Sequence, residues 1–306
     1  MSALAFTLVA LLLVGPVPAL LARATWPMRA PRAAVVLWQS IALAAVLSAF
    51  SAGIAIASRL FVPGLDGKPT ATITSEIRVL GWPLWIAYVL VLALTLLIGA
   101  RLIVAVLQVA IATRRRRAHH RMVVDLVGNK QKSGLRVLGV KEPLAYCLPG
   151  VRSRVVVSEG TLTTLADNEI AAILSHERAH LRARHDLVLE MFTAVHAAFP
   201  RFVRSASALD AVRLLIELLA DDAAVRAAGP TPLARALVAC AAGGAPSGAL
   251  AAGGPTTVLR VRRLGGRGNS IAVAMTAYLA AAAVMVVPTV ALAVPWLTEL
   301  HRLFIA

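Results

Sequence analysis

Leu174-Ser175-His176-Glu177-Arg178-Ala179-His180-Leu181-Arg182-Ala183-Arg184 is the stretch on which the reading of this chain turns. Within it, His176 to His180 form an H-E-x-x-H pattern whose apolar flanks recur at helical spacing. Residues four apart on a helix lie on one face, with Cβ atoms roughly 5–6 Å apart. His176 and His180 can therefore turn a ring nitrogen each toward a single Zn²⁺. Glu177 is placed to reach a water on that metal. Two imidazole ligands and a carboxylate base make the chemistry of a metal-dependent endopeptidase.

The rest of the composition is that of a membrane protein. Of 306 residues, 59% are hydrophobic and 15% charged, and mean hydropathy is +0.78, too apolar for an ordinary soluble domain. A span needs about 20 apolar residues. Four stretches qualify: Ser2–Ala22, Ala34–Ala57, Trp82–Ala100 and Ile271–Pro295. No Lys or Arg precedes Arg23, so the first stretch lacks the basic start of a cleaved signal peptide and reads as a retained helix.

Basic residues set the expected orientation. Arg23, Arg29 and Arg32 follow the first span, Arg114 to Arg117 follow the third, and Arg260, Arg262, Arg263 and Arg267 precede the fourth. Those ends belong in the cytoplasm of a multi-pass plasma-membrane protein. Both termini and the segment Ser58–Gly81 are then external. The net charge of +16 is accounted for by such anchors on anionic lipid, and no direct nucleic-acid partner is expected. Cys147 and Cys240 lack C-x-x-C spacing and read as reduced structural thiols. The expected organisation is three transmembrane helices with an extension of the third over 1–112, a cytoplasmic α+β domain over 113–268, and a fourth helix with a short external tail over 269–306.

Inside the cytoplasmic segment, Leu135–Val140, Pro143–Leu148 and Arg154–Ser158 read as a small antiparallel sheet. Ala145-Tyr146 is the candidate edge on which a peptide substrate would add a strand. Asp167 or Asn168 caps a helix expected to run through the motif to Phe199, where Pro200 stops it. A second helix, Ala206–Ala228, ends at Gly229-Pro230. It contains Glu217 and, four residues on, Asp221. A catalytic zinc takes three protein ligands and keeps one open position. Glu217, 37 residues after His180, is the expected third ligand, and Asp221 would orient a ligand histidine. His185 lies five residues after His180 without an intervening glycine. It does not fit the metzincin spacing and is expected at the motif helix's polar edge. A Gly/Ala/Pro-rich connection, Gly243–Pro255, leads to a basic helix before the last span.

Taken together, the chain resembles the BlaR/MecR-type antirepressor metallopeptidases. It is more distantly similar to HtpX-like and CAAX-prenyl membrane proteases. The matching pieces are Ala145-Tyr146, Val155 to Ser158 with Leu162, Glu169 through His180, and Glu217 to Asp221. The resemblance implies a mostly α membrane protein with a gluzincin-type zinc peptidase domain between the third and fourth spans. His176, His180 and Glu217 would bind zinc, Glu177 would act as base and Asp221 would support the site. It further implies signal-dependent cleavage of a cytosolic winged-helix repressor, and possible self-cleavage. The alternatives are a broad-specificity quality-control protease and an inactive membrane adaptor. The penicillin-binding sensor of the best-known members is not found before the last residue, Ala306.

Overall fold

The computed structural model describes residues 2–61, 73–131, 134–150, 153–199, 206–241, 250–251, 256–266 and 268–290, with 294, 297, 298 and 301 beyond. The first apolar stretch forms α1 (Ser2–Val14) and α2 (Pro16–Arg23), divided where Pro16 follows Gly15; proline removes a backbone donor and interrupts the helix. Helix α3 (Pro31–Ala57) begins with a proline in its first turn, where the missing N–H costs nothing. Helix α4 (Ile73–Leu80) precedes α5 (Trp82–Val127). At 46 residues and about 1.5 Å per residue, α5 is roughly 69 Å long. Expected to end at the basic run, it instead passes through Arg114–Arg117 and stops at Gly128. Basic residues are good helix formers, so charge alone ends no helix.

The sheet strands are β1 (Asn129–Lys130), β2 (Arg136–Leu138), β3 (Ala145–Leu148) and β4 (Arg154–Ser158). Then come α6 (Glu159–Thr164), α7 (Asp167–Arg182), α8 (His185–Ala198), α9 (Ala206–Ala228), α10 (Pro230–Ala241) and the two-residue β5 (Leu250–Ala251). Helix α11 (Thr257–Leu264) leads to α12 (Ile271–Pro288). Strand order is β1-β2-β4-β3-β5. The sheet is mixed, because β2 and β4 run parallel while the other pairs are antiparallel. A parallel pair needs a long crossover, and β3 is threaded into that crossover; strand runs read singly cannot reveal this. The expected open edge at Ala145-Tyr146 is also corrected. Ala145 and Tyr146 pair with Val157 and Val156 on β4, and Tyr146 faces Ala251 of β5 on the other side.

Four helices, Ala3–Arg23, Pro31–Ala57, Trp82–Val127 and Ile271–Pro288, are long and apolar enough to cross a membrane. The expected last span to Pro295 exceeds the observed helix, and most of its remainder, like most of Gly243–Pro255, lies outside the described residues. Two cores meet at α9. One joins Trp38 and Ile41 of α3 to Phe192 of α8 and to Leu215, Ile216 and Leu218 of α9. The other packs β2 and β4 with Ile173 of α7, Ala224 of α9, and Leu233 and Leu237 of α10. The helix carrying the acidic pair is therefore clamped between the apolar spans and the sheet domain.

Candidate metal centre

Helix α7 begins with Glu169 Oε2 accepting from the backbone N–H of Ala166 at 3.1 Å. The start residue is Ala166, so neither Asp167 nor Asn168 caps the helix; both sit in its first turns, with Asp167 and Glu169 favourably placed toward the helix dipole. The apolar residues Ile173 and Leu174 pin α7 to the sheet core. Three, four and seven residues on from Ile173, His176, Glu177 and His180 follow it along the buried side of α7, each at most 1% exposed.

Helix α9 supplies the facing carboxylates, and their four-residue spacing aligns them on one side. His176 Nε2 and His180 Nε2 lie 3.1 Å apart. Glu217 Oε2 is 3.4 Å from the first, and Glu217 Oε1 is 3.6 Å from the second. Zinc–nitrogen bonds of about 2.0–2.1 Å at tetrahedral angles put ligand atoms about 3.3 Å apart. The three donors converge at that spacing, with one ligand atom from each within 4.8 Å of the others. The residues present fit zinc.

The surrounding contacts hold the ligands in place. His176 Nδ1 lies 3.0 Å from Asp221 Oδ1, the position in which the sequence places an orienting carboxylate. His180 Nδ1 meets His185 Nδ1 at 3.0 Å, a contact the sequence reading misses. That reading expects one helix from 167 to 199, whereas the chain breaks at Arg184, whose φ of 52° is left-handed. The break folds buried His185 back against the motif helix, away from the polar edge assigned to it. Apolar periodicity continues across the break, and only the polar run Arg182 to Asp186 marks it in the sequence.

Arg260 is the second residue the sequence reading misplaces. Expected among the basic residues of a membrane anchor, it is 1% exposed. Its Nε donates to Asp221 Oδ2 at 2.8 Å and Nη2 to Asp221 Oδ1 at 2.6 Å, while Nη1 lies 2.9 Å from Glu217 Oε2. One guanidinium thus bridges both carboxylates, a fork geometry lysine does not offer.

The electrostatics follow from burial against these pairs. Burial opposes the charged form of His176, but the adjacent Asp221 and Glu217 carboxylates outweigh it and raise the group to about 9. For His180 burial wins and holds the ring near 3, and His185 is likewise lowered to about 4. Both therefore stay neutral at pH 7 and keep a lone pair for bonding. Burial pushes Glu217 upward, yet His180, His176 and Arg260 together bring it down to about 2. Glu177 is the exception. Burial dominates and raises it to about 8, with the Cys147 thiol as a weak hydrogen-bonding neighbour. The Cys147 thiol lies beside it and is pushed up by burial and by Glu177. A buried carboxylate with so weak a donor beside it is costly and is a mark of a reactive position. On β3, Ala145 and Tyr146 are both buried, and Tyr146 Oη lies 3.0 Å from His120 Nε2.

A helix carrying H-E-x-x-H, faced by a second helix carrying Glu-x-x-x-Asp and backed by a small sheet, defines a zinc-peptidase architecture. Residues 112–268 match peptidase family M48, and the chain belongs to that family. It is a metallopeptidase with apolar helices that mark a membrane protein. No curated protein and no solved structure matches this chain.

Proposed function

We propose that this chain is an integral-membrane zinc endopeptidase that cleaves polypeptides at the cytoplasmic face. Its substrate class is a cytosolic winged-helix transcriptional repressor, as in the antirepressor peptidases it resembles. One observation supports the catalytic reading above all: three converging donors beside a fully buried carboxylate. The cytoplasmic placement rests on the basic ends of the spans.

His176, His180 and Glu217 would hold the zinc, with Asp221 and His185 against the two imidazole rings and Arg260 bridging both carboxylates. Bound there, zinc supplies a Lewis acid that acidifies water and polarises the scissile carbonyl. Burial raises the proton affinity of Glu177 toward neutral pH, the range in which a carboxylate works as a general base. Glu177 takes a proton from the attacking water on one carboxylate oxygen and returns it to the departing amine. Its surroundings exclude bulk water, which keeps that proton on the reaction path.

The test is proteolysis by the detergent-purified full chain and by Glu177→Gln, with and without a zinc chelator, against a winged-helix repressor and against casein. Chelator-sensitive cleavage of the repressor alone, lost in Glu177→Gln with zinc retained, is the expected result. Cleavage of casein as well would move the substrate reading to quality control. Undiminished cleavage by Glu177→Gln would overturn the mechanism.

A further inference from the structure

A cavity of about 530 Å³ lies outside the metal centre, among α1, α3, α5, α8 and α9. That size falls within the range of about 300–1,000 Å³ typical of ligand sites, in a class of molecule whose interiors otherwise leave few voids larger than water. Its walls are almost wholly apolar, including Ala45 and Phe50 of α3, Phe192 of α8 and Leu209 of α9. Its polar lining residues are Thr7, Trp38 and His196; the Thr7 hydroxyl donates to Ala3 O, whereas the Nε1 of Trp38, a residue only 2% exposed, and Nδ1 of His196 lack a hydrogen-bond partner among the described residues. An indole N–H is a donor only, and burying it unpaired is unfavourable. The occupant that suits these walls is long and apolar, with an acceptor oxygen at one end.

The position in the spans identifies the source. Along α3 the lining runs from Trp38 to Ala52, about 21 Å at 1.5 Å per residue, or most of one bilayer core. Trp38 lies one to two turns from the start of α3, at the basic, headgroup-proximal end, where tryptophan commonly sits. Trp38 packs in one cluster with Leu209 of α9, while Phe6, next to Thr7, packs against Ala52 toward the far end of α3. We propose that the cavity is a binding site for one membrane phospholipid, with an acyl chain laid along α3 and an ester carbonyl accepting a hydrogen bond from Trp38 Nε1. Two walls, α8 and α9, continue into the segments that hold His185 and Glu217, so the lipid occupies the seam between the spans and the peptidase core.

Native mass spectrometry of the full chain, released from mild detergent, tests this. The expected spectrum shows one phospholipid per chain surviving exchange into fresh detergent. Ala45→Phe fills the cavity and should remove that adduct; Trp38→Phe keeps the shape without the donor and should lower its occupancy about tenfold. Leu279→Phe, on an exposed face of α12, should leave it unchanged. Zinc content and melting temperature report whether each variant folds, and Ala208→Phe closes the same cavity from α9 if Ala45→Phe fails. No retained lipid in the wild type, or equal retention in the filled variants, would overturn the proposal.

Discussion

Replacing Arg260 with Gln separates the two roles that this residue can be given. The side chain is 1% exposed and makes two bonds to Asp221, itself fully buried, and a third contact to Glu217. Removing one partner of a buried ion pair leaves an uncompensated charge and costs about 3–5 kcal/mol. Two carboxylates lose their partner here, so the upper part of that range applies to the metal-free protein. For a chain of this size each kcal/mol shifts the melting temperature by roughly 2–4 °C, giving a loss of about 10–15 °C. Zinc neutralises Glu217 when bound, so the loss should shrink in the zinc-loaded protein. Arg260→Lys should recover only part of it, because an ammonium group cannot reproduce the bidentate fork. The control is Arg262→Gln, two residues on and exposed, expected within about 0.5 kcal/mol of wild type. Thermal unfolding in detergent, with and without zinc, reads all four proteins. Equal melting temperatures for Arg260→Gln and Arg262→Gln in the metal-free state would refute the buried-bridge reasoning and return Arg260 to the membrane anchor.

His185→Ala removes the contact to His180 Nδ1 and should weaken zinc binding about 10–100-fold, read by competition with a chromophoric chelator; unchanged affinity would show that the ring orients nothing. Burial pushes the Cys240 thiol up to about 11 and raises Cys147 further, so neither should react with a disulfide reagent at pH 8 until the protein unfolds. Because a raised folded pKa favours the protonated folded form, the associated stability is complete below the unfolded value of about 8.5 and declines as pH rises toward 11; a denaturation series from pH 8 to 10 should show this fall, and rapid native labelling would contradict the burial. A Cβ at Gly160 would overlap the Lys141 carbonyl, a backbone atom held near by the Gly160 N–H to Val140 O bond of 2.9 Å. Gly160→Ala should therefore cost about 1–3 kcal/mol, and a wild-type melting temperature would show that the β2–β3 connection yields easily.

The reach of sequence reasoning differs from element to element. H-E-x-x-H places His176 and His180 on one helix face by local geometry alone, and sets Glu177 beside His180 three residues before it. Glu217 and Asp221 are legible because their spacing repeats the same argument on a second helix beside apolar residues that disfavour unpaired carboxylates. Spans are legible because length and hydropathy report directly on a solvent as uniform as the bilayer interior. Strand order is not, since a parallel pair with an inserted strand and a β5 partner more than a hundred residues away depend on non-local pairing.

Local pattern thus determined the membrane class, the two histidines with their glutamate, and the acidic pair that faces them. Tertiary structure alone decided what surrounds them. The left-handed turn at Arg184 aims His185 at His180, although nothing in the apolar period interrupts there. Packing of α11 across α9 buries Arg260 between two carboxylates, 39 residues from Asp221 in the chain. A sequence records that an arginine is charged; only the fold decides whether that charge meets solvent, lipid or a buried carboxylate, because the difference lies in the dielectric and the partners around it.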